Sequence, residues 1–160
     1  MDINLATKRA LVCGSSQGIG RACAIELANL GASVTLFSRN QARLENVKSE
    51  LCCAQGQNHH ILIADFARPE QVNRVILDDV AANGGFDILI NNTNHMRPGG
   101  VSTRRDVVTS RDEMEVNYFG LMRLMQAFGP AMRSRGADGV NSAVAWVNQL
   151  SVYALSNWPD

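Results

Sequence analysis

Short apolar runs alternate along this chain with longer segments whose apolar residues recur at helical spacing. Arg9 to Cys13 predicts a buried strand, and residues 18–30 predict an amphipathic helix because their apolar side chains fall three or four positions apart. The alternation then repeats along the chain. It predicts further strands over 33–38, 60–64, 86–90 and 143–147, and further helices over 41–51, 69–82 and 110–132.

Regular alternation of strand and helix predicts an α/β fold, a doubly wound parallel sheet of about five strands in one domain over 1–160. Residues 96–108 show no clear hydrophobic period, which predicts a loop, and we expect this loop to lie beside the functional site. Ser110 to Glu113 match a capping box that would start the last helix. We interpret an apolar stripe on that helix as core packing in preference to an oligomer seam. The stripe comprises Met114, Leu121, Met122, Met125 and Phe128.

Three glycines lie on the turn between the first strand and the first helix. Gly14 permits a tight turn, Gly18 lets the backbone approach a pyrophosphate, and Gly20 lets the helix pack closely on the strand. A phosphate at this turn would meet free backbone N–H groups and the positive end of the helix dipole. The turn therefore predicts a dinucleotide-phosphate site, formed by Gly14, Ser15, Ser16, Gln17, Gly18, Ile19 and Gly20.

Composition narrows the choice of partners. The formal net charge of the 160 residues is zero, which argues against nucleic acid or an acidic membrane as the partner. The longest apolar runs are of strand length and the N-terminus lacks a basic, then apolar, leader, so we expect a cytoplasmic protein. The four cysteines lack metal-binding spacing, and adjacent His59 and His60 point to opposite faces of a strand. We therefore expect reduced structural thiols and no metal site.

Several motifs in order resemble the short-chain dehydrogenase/reductase family, which has a Rossmann-like fold. The glycine turn is similar to the family's T-G-x-x-x-G-x-G cofactor motif, with Cys13 in place of Thr. Asp65 and Phe66 follow the third strand, where the resemblance implies adenine binding by a side chain and the backbone. Asn91 and Asn92 resemble the start of the N-N-A-G motif, which implies a ribose contact near Asn92. Thr93-Asn94 departs from that motif, although Asn tolerates the left-handed backbone that Gly favours.

Charge at the end of the second strand bears on the choice of cofactor. A carboxylate there would accept a hydrogen bond from a ribose 2′-hydroxyl and repel a 2′-phosphate. This chain has Ser38 and Arg39 there and no acid nearby, so we expect both residues to bind the cofactor. NADP(H) is therefore favoured, and NAD(H) is the alternative cofactor. A merely solvated Arg39 is the alternative.

The resemblance also implies where the chemistry lies. It makes Asn117 the active-site Asn of the long helix and Ser151 the Ser that polarises a carbonyl. The family's Tyr transfers the substrate proton and a Lys four residues later lowers the pKa of that Tyr, but the lysines here are Lys8 and Lys48. No Tyr-x-x-x-Lys therefore exists in these 160 residues. We expect that the C-terminal part of the family fold is missing and that the fifth strand is a sheet edge.

An alternative assignment pairs Ser142 with Tyr153 at nearer the expected spacing, although Ser142 precedes the apolar strand that the family's Ser ends. We expect an NADP(H)-binding oxidoreductase-family protein for a small carbonyl or alcohol substrate, with catalysis impaired in the 160-residue chain. The alternative is a non-catalytic nucleotide-binding or regulatory domain that completes itself by pairing with another subunit, which leaves a homo-oligomer open. A Rossmann-like methyltransferase is disfavoured, because adenosylmethionine has no phosphate for the glycine turn.

Overall fold

A computed structural model describes residues 3–95, 107–137 and 145–148 of the chain. Strands and helices alternate through the first 91 residues, as the sequence predicts, and one long helical segment precedes the last strand. The elements are β1 Arg9–Cys13, α1 Gly18–Asn29, β2 Ser33–Ser38, α2 Gln41–Glu50, β3 His60–Ile63, α3 Pro69–Asn83, β4 Ile88–Asn91, α4 Val108–Met114, α5 Gly120–Ala137 and β5 Ala145–Asn148. A π-helical turn over Glu115–Phe119 joins α4 to α5.

All five described strands form one parallel sheet in the order β3-β2-β1-β4-β5. Leu11 on β1 pairs with Thr35 on one side and with Leu89 on the other. The chain therefore reverses its direction of travel across the sheet between β1 and β4. In open α/β sheets the ligand cleft lies at such a switch point, beyond the carboxyl ends of the strands.

Side chains on β1 point alternately into two buried layers. Leu11 and Cys13 pack in one layer with residues of α3 and α5, whereas Ala10 and Val12 pack in the other with residues of α1 and α2. Helices therefore cover both faces of the sheet, and the doubly wound, Rossmann-like fold that the sequence predicts is confirmed. Among the described strands β5 lies at the edge of the sheet, where the side chain of Val147 is exposed.

The last long helix corrects two sequence predictions. It begins at Val108 and not at the capping box of Ser110, and no side chain caps its first residue. The predicted stripe is also wrong at Met114, Met122 and Met125, which are 39–49% exposed. Within α4, the π-helical turn and α5, the buried residues follow a four-residue repeat: Val116, Gly120, Leu124, Phe128 and Met132. The π-helical turn accounts for the error at Met114, because its i to i+5 hydrogen bonds add a residue to one turn and shift Met114 relative to α5. Met122 and Met125 lie within α5, away from the line of buried side chains formed by Leu124, Phe128 and Met132.

Smaller boundary errors concern β4 and β5, which begin two residues later than the sequence predicts.

His59 is buried, where its Nδ1 accepts a hydrogen bond from the N–H of Val34 and its Nε2 bonds to the carbonyl of Cys52. Among the described residues no group of three or more His, Cys, Asp or Glu could hold a metal ion, and no helix is long and apolar enough to cross a membrane.

Candidate dinucleotide-binding site

An open cleft of about 830 Å³ lies beyond the carboxyl ends of β1, β2, β3 and β4. Four loops, the first turns of α1 and α2 and part of the long helix line it, so residues far apart in sequence meet there. The lining residues are Gly14, Ser16, Gln17, Gly18, Ser38, Arg39, Asn40, Arg43, Asp65, Phe66, Ala67, Asn92, Thr93, Asn94, His95, Asp112 and Val116. This is the switch point that the strand order defines.

The three glycines of the β1–α1 turn have separate roles. Gly14 has φ +67°, and a Cβ there would lie 2.6 Å from the carbonyl oxygen of Asn92. A Cβ on Gly20 would collide with the backbone of Gly14 and the side chain of Asn92. The structure thus confirms the tight turn at Gly14 and the close packing at Gly20. Gly18 has φ +57° with nothing within 4 Å of its Cβ position, so its backbone is open to the cleft.

The other residues of the turn divide between structure and cleft. Ser15 is fully buried and its Oγ accepts a hydrogen bond from the N–H of Phe37, 2.9 Å away, so its side chain anchors the turn to β2. Ser16 and Gln17 line the cleft. Ile19 does not line the cleft but is 57% exposed on the first turn of α1.

The end of β2 carries the predicted cofactor-selecting residues. Ser38 and Arg39 both line the cleft, and Arg39 is 64% exposed. The expectation of no acid nearby is wrong, because Nη1 of Arg39 lies 3.9 Å from Oδ2 of Asp65. Parallel strands bring the ends of β2 and β3 side by side, although 25 residues of chain separate them. The carboxylate of Asp65 thus lowers the positive potential that Arg39 presents to an anion in the cleft.

The segment after β3 separates the two residues that the resemblance assigned to adenine. Asp65 presents a carboxylate at the cleft, and its Oδ1 accepts from the N–H of Ala67 at 3.0 Å. The Phe66 side chain turns into the core, where its ring centroid lies 4.8 Å from that of Phe37. The contribution of Phe66 to the cleft is therefore mainly through its backbone.

The segment after β4 closes the cleft against the glycine turn. Asn92 donates from Nδ2 to the carbonyl oxygen of Gly14 at 3.3 Å, and Asn91 donates from Nδ2 to Oδ1 of Asn148 on β5 at 2.8 Å. The hydroxyl of Thr93 is buried without a hydrogen-bond partner among the described residues. Because buried polar atoms normally have partners, this hydroxyl suits a ligand with hydrogen-bonding groups at the cleft.

Asn117 lies on the π-helical turn and bonds both ways to one backbone residue. Its Oδ1 accepts from the N–H of His95 and its Nδ2 donates to the carbonyl of His95, both at 2.7 Å. The side chain therefore fixes the segment after β4 against the long helix. π-helical turns recur at functional sites, and the active-site role that the resemblance implies for Asn117 stays a prediction.

Cys13, which replaces the Thr of the family motif, lies below the turn in the core. Burial raises the pKa of its thiol well above the usual range, so the thiol stays protonated. Cys13 accordingly fills space beneath the glycine turn and offers the cleft no nucleophile.

Several residues of the cleft were not predicted from the sequence. Asp112 and Val116 line it from one face of the long helix, where their spacing of four was the available signal. Arg43 lines it from the first turn of α2, four residues beyond Arg39. Ser151, Ser142 and Tyr153 lie outside the described residues.

Fold and cleft define a Rossmann-like α/β protein whose site lies at the switch point of its sheet. A family model described as short chain dehydrogenase matches residues 8–154. The chain therefore belongs to the short-chain dehydrogenase/reductase family. That family binds NAD(P)(H) and acts on small molecules.

Individual relatives agree on the family and differ in substrate. Glucose 1-dehydrogenase of Gluconobacter oxydans is 35% identical over 119 residues, which are 73% of this chain and 44% of that protein. 11-beta-hydroxysteroid dehydrogenase 1A of Arabidopsis thaliana is 28% identical over 158 residues, 96% of this chain and 45% of that protein. The chain thus spans less than half the length of these relatives.

A solved structure shows the same fold with a cofactor bound. L-sorbose reductase from Gluconobacter frateurii, in complex with NADPH and L-sorbose, superimposes with a TM-score of 0.83 at 29% identity. The match covers 97% of this chain and 56% of the reductase. Both proteins therefore share the architecture around the cleft.

Proposed function

We propose that this chain binds NADP(H) in the cleft and prefers it to NAD(H). The observation that carries the proposal is the cleft itself, in which an open Gly18 lies at the N-terminus of α1 and Arg39 at the end of β2. Backbone N–H groups at a helix N-terminus suit a pyrophosphate, and a guanidinium suits a 2′-phosphate. The NADPH-bound sorbose reductase supports the same choice.

Each residue predicted to bind the cofactor is given a part of NADP(H) in this proposal. Ser16, Gln17 and Gly18 would hold the pyrophosphate, and Ser15 and Gly20 would shape the turn beneath it. Ser38 and Arg39 would hold the 2′-phosphate, Asp65 and the backbone of Phe66 the adenine, and Asn92 the second ribose. Ile19, which is exposed on the first turn of α1, would contact a part of the cofactor that extends beyond the lining residues of the cleft.

The proposed reaction class is hydride transfer between the cofactor and a small carbonyl or alcohol. The bound cofactor supplies or accepts the hydride. Asn117 holds the segment beside the reacting end in place, and Ser151 would polarise the carbonyl by resemblance. Since these 160 residues contain no Tyr-x-x-x-Lys, we propose that they supply the cofactor half of the site and give negligible turnover alone.

Calorimetric titration of the 160-residue polypeptide with NADPH and with NADH tests the binding proposal. We expect NADPH to bind at least about tenfold more tightly, because a charge-assisted hydrogen bond contributes about 1.5–3 kcal/mol. Arg39→Gln should reduce that ratio with NADH affinity unchanged. Arg74→Gln, an exposed arginine of α3 outside the cleft, is the matched control. Equal affinities in the unmodified polypeptide would contradict the preference, and no binding of either would contradict the proposal.

We further propose that the chain is cytoplasmic. Its four cysteines are all free thiols, and one of them, Cys53, is exposed. Reducing compartments keep exposed thiols in this state. Fractionation of the source cells with compartment markers checks this, and recovery in an oxidising compartment would overturn it.

A second candidate function is a regulatory domain completed by another copy of the chain. A row of exposed apolar side chains on the long helix favours it, namely Met114, Tyr118, Phe119, Met122 and Met125, each 39–51% exposed. Light scattering should then report a dimer that Met122→Lys dissociates, whereas Leu77→Lys on α3 should not. A monomer at all concentrations would exclude this candidate.

A further inference from the structure

The Arg43 side chain on α2 contacts the glycine turn. Its Nη1 donates to Oε1 of Gln17 at 2.7 Å, and its backbone N–H donates to Oδ1 of Asn40, the N-cap of α2, at 3.0 Å. Arg43 lines the same cleft as Ser38 and Arg39. The guanidinium is therefore held at the cleft by a hydrogen bond to another residue that lines it.

The charge of Arg43 has a different environment from that of Arg39. Gln17 is a neutral amide, so its hydrogen bond orients the Arg43 guanidinium without cancelling its charge. Arg39 lies 3.9 Å from the Asp65 carboxylate. The first turn of α2 holds no acidic residue, and the helix dipole adds positive potential at this end.

We infer that Arg43 is the second guanidinium that recognises the 2′-phosphate of NADP(H), and that Gln17 is a positioning residue that aims it. The inference rests on the proposed NADP(H) binding and deepens it. A guanidinium has five N–H donors in a planar fork, and Gln17 engages one of its nitrogens, so the others are available to phosphate oxygens. Arg39 and Arg43 would then approach one dianionic group from the end of β2 and from the start of α2.

A purely structural role makes a different prediction. If Arg43 only braced the glycine turn against α2, its removal would weaken binding of NADPH and NADH alike, because both place a pyrophosphate on that turn. If it recognises the 2′-phosphate, NADPH alone is affected. The ratio of the two dissociation constants therefore separates the roles.

The test is calorimetric titration of the 160-residue polypeptide and its variants with NADPH and NADH. Arg43→Gln should lower the preference for NADPH about tenfold with NADH affinity unchanged, a loss appropriate to one exposed charge-assisted contact. Arg43→Lys, which keeps the charge and loses the fork, should fall between the two. Arg74→Gln is the matched control. Adenosine 2′,5′-bisphosphate against ADP repeats the comparison without the nicotinamide end.

An unchanged ratio in Arg43→Gln would overturn the inference, whether both affinities stay the same or fall equally. Absence of NADPH preference in the unmodified polypeptide would instead refute the proposed function, and this is seen before any variant is made. Should Arg43→Gln fail to fold, Gln17→Ala serves as the second variant. It frees the guanidinium without changing charge, so the ratio should fall by about threefold, less than for loss of the whole contact; an unchanged ratio there would also count against the inference.

Discussion

Thr7 has an unusual backbone conformation for its residue type. Its φ is +70°, in the left-handed region, and its side chain is exposed just before β1. A β-branched residue there is strained, since its Cβ crowds the backbone at a cost of about 1–2 kcal/mol. The strain arises from the turn that leads into β1, where the N–H of Lys8 donates to the carbonyl of Leu5.

We expect Thr7→Gly to stabilise the fold. Relief of strain exceeds the entropy that glycine adds to the unfolded chain, which leaves a net gain of about 0.5–1 kcal/mol. Thermal unfolding measures the gain as a rise in Tm. Thr7→Ala retains the Cβ and should give little of it, so an equal rise in both variants would show that strain is not the cause.

His60 makes stability depend on pH. Burial, opposed in part by the Asp79 carboxylate, lowers the pKa of His60 below its usual value of 6.5. Between the folded and unfolded pKa the unfolded chain binds more protons, so the unfolding free energy falls as the pH decreases below about 6.5. Urea titrations across that range should show a shallower decline for His60→Gln than for the parent chain. Identical slopes for the parent chain and for His60→Gln would contradict this dependence on His60.

At the scale of elements, one ion pair joins β1 to α3. Nη2 of Arg9 lies 2.7 Å from Oδ2 of Asp79, whose side chain is only 4% exposed, and Oδ1 of Asp79 accepts from Nδ2 of Asn83. The Arg9 guanidinium also stacks over the Phe86 ring, 4.4 Å from its centroid. The pair thus fixes how the helix packs at the amino end of the sheet, opposite the cleft.

Removal of Arg9 should be costly because it leaves a buried carboxylate without its partner. We expect Arg9→Met to lower the unfolding free energy by about 3 kcal/mol and Arg9→Met with Asp79→Leu to recover much of the loss. The exposed pair of Arg74 and Asp78 is the control, where the same kind of change should cost about 0.5 kcal/mol or less. Additive losses in the double variant would contradict direct coupling.

At the scale of the whole molecule, Asn117 couples the long helix to the loop that lines the cleft. Asn117→Asp keeps the size of the side chain but loses the donor to the carbonyl of His95. The unpaired carbonyl and the nearby carboxylate should lower the free energy of unfolding by about 1–3 kcal/mol. The same change should also weaken cofactor binding, because the loop lines the cleft. Urea unfolding and NADPH titration of the same variant check both effects. Loss of stability with unchanged affinity would show that the loop does not depend on this contact.

The pattern of apolar and polar residues was sufficient to predict the strands of the sheet and the helices between them. Each buried strand is a short apolar run and each helix an amphipathic one, so local propensity and burial agree, and their alternation implies a parallel sheet with helices on both faces. The order of the strands within the sheet came only from the structure. The glycine turn was likewise predictable, because Gly14 and Gly20 occupy positions where a Cβ would collide with neighbouring backbone. The buried face of the long helix was not predictable in the same way, since the π-helical turn over Glu115–Phe119 interrupts the 3.6-residue count between Met114 and α5.

The sequence by itself determined the α/β fold, the place of the glycine turn and the absence of a Tyr-x-x-x-Lys from these 160 residues, because these depend on residue type and short-range spacing. Only the tertiary structure decided which charges meet. Parallel pairing brings Asp65 beside Arg39 across 25 residues, and packing of α2 against the glycine turn sets Arg43 against Gln17 across a similar span. Electrostatic recognition depends on distances between such residues, and these distances are fixed only when the sheet assembles.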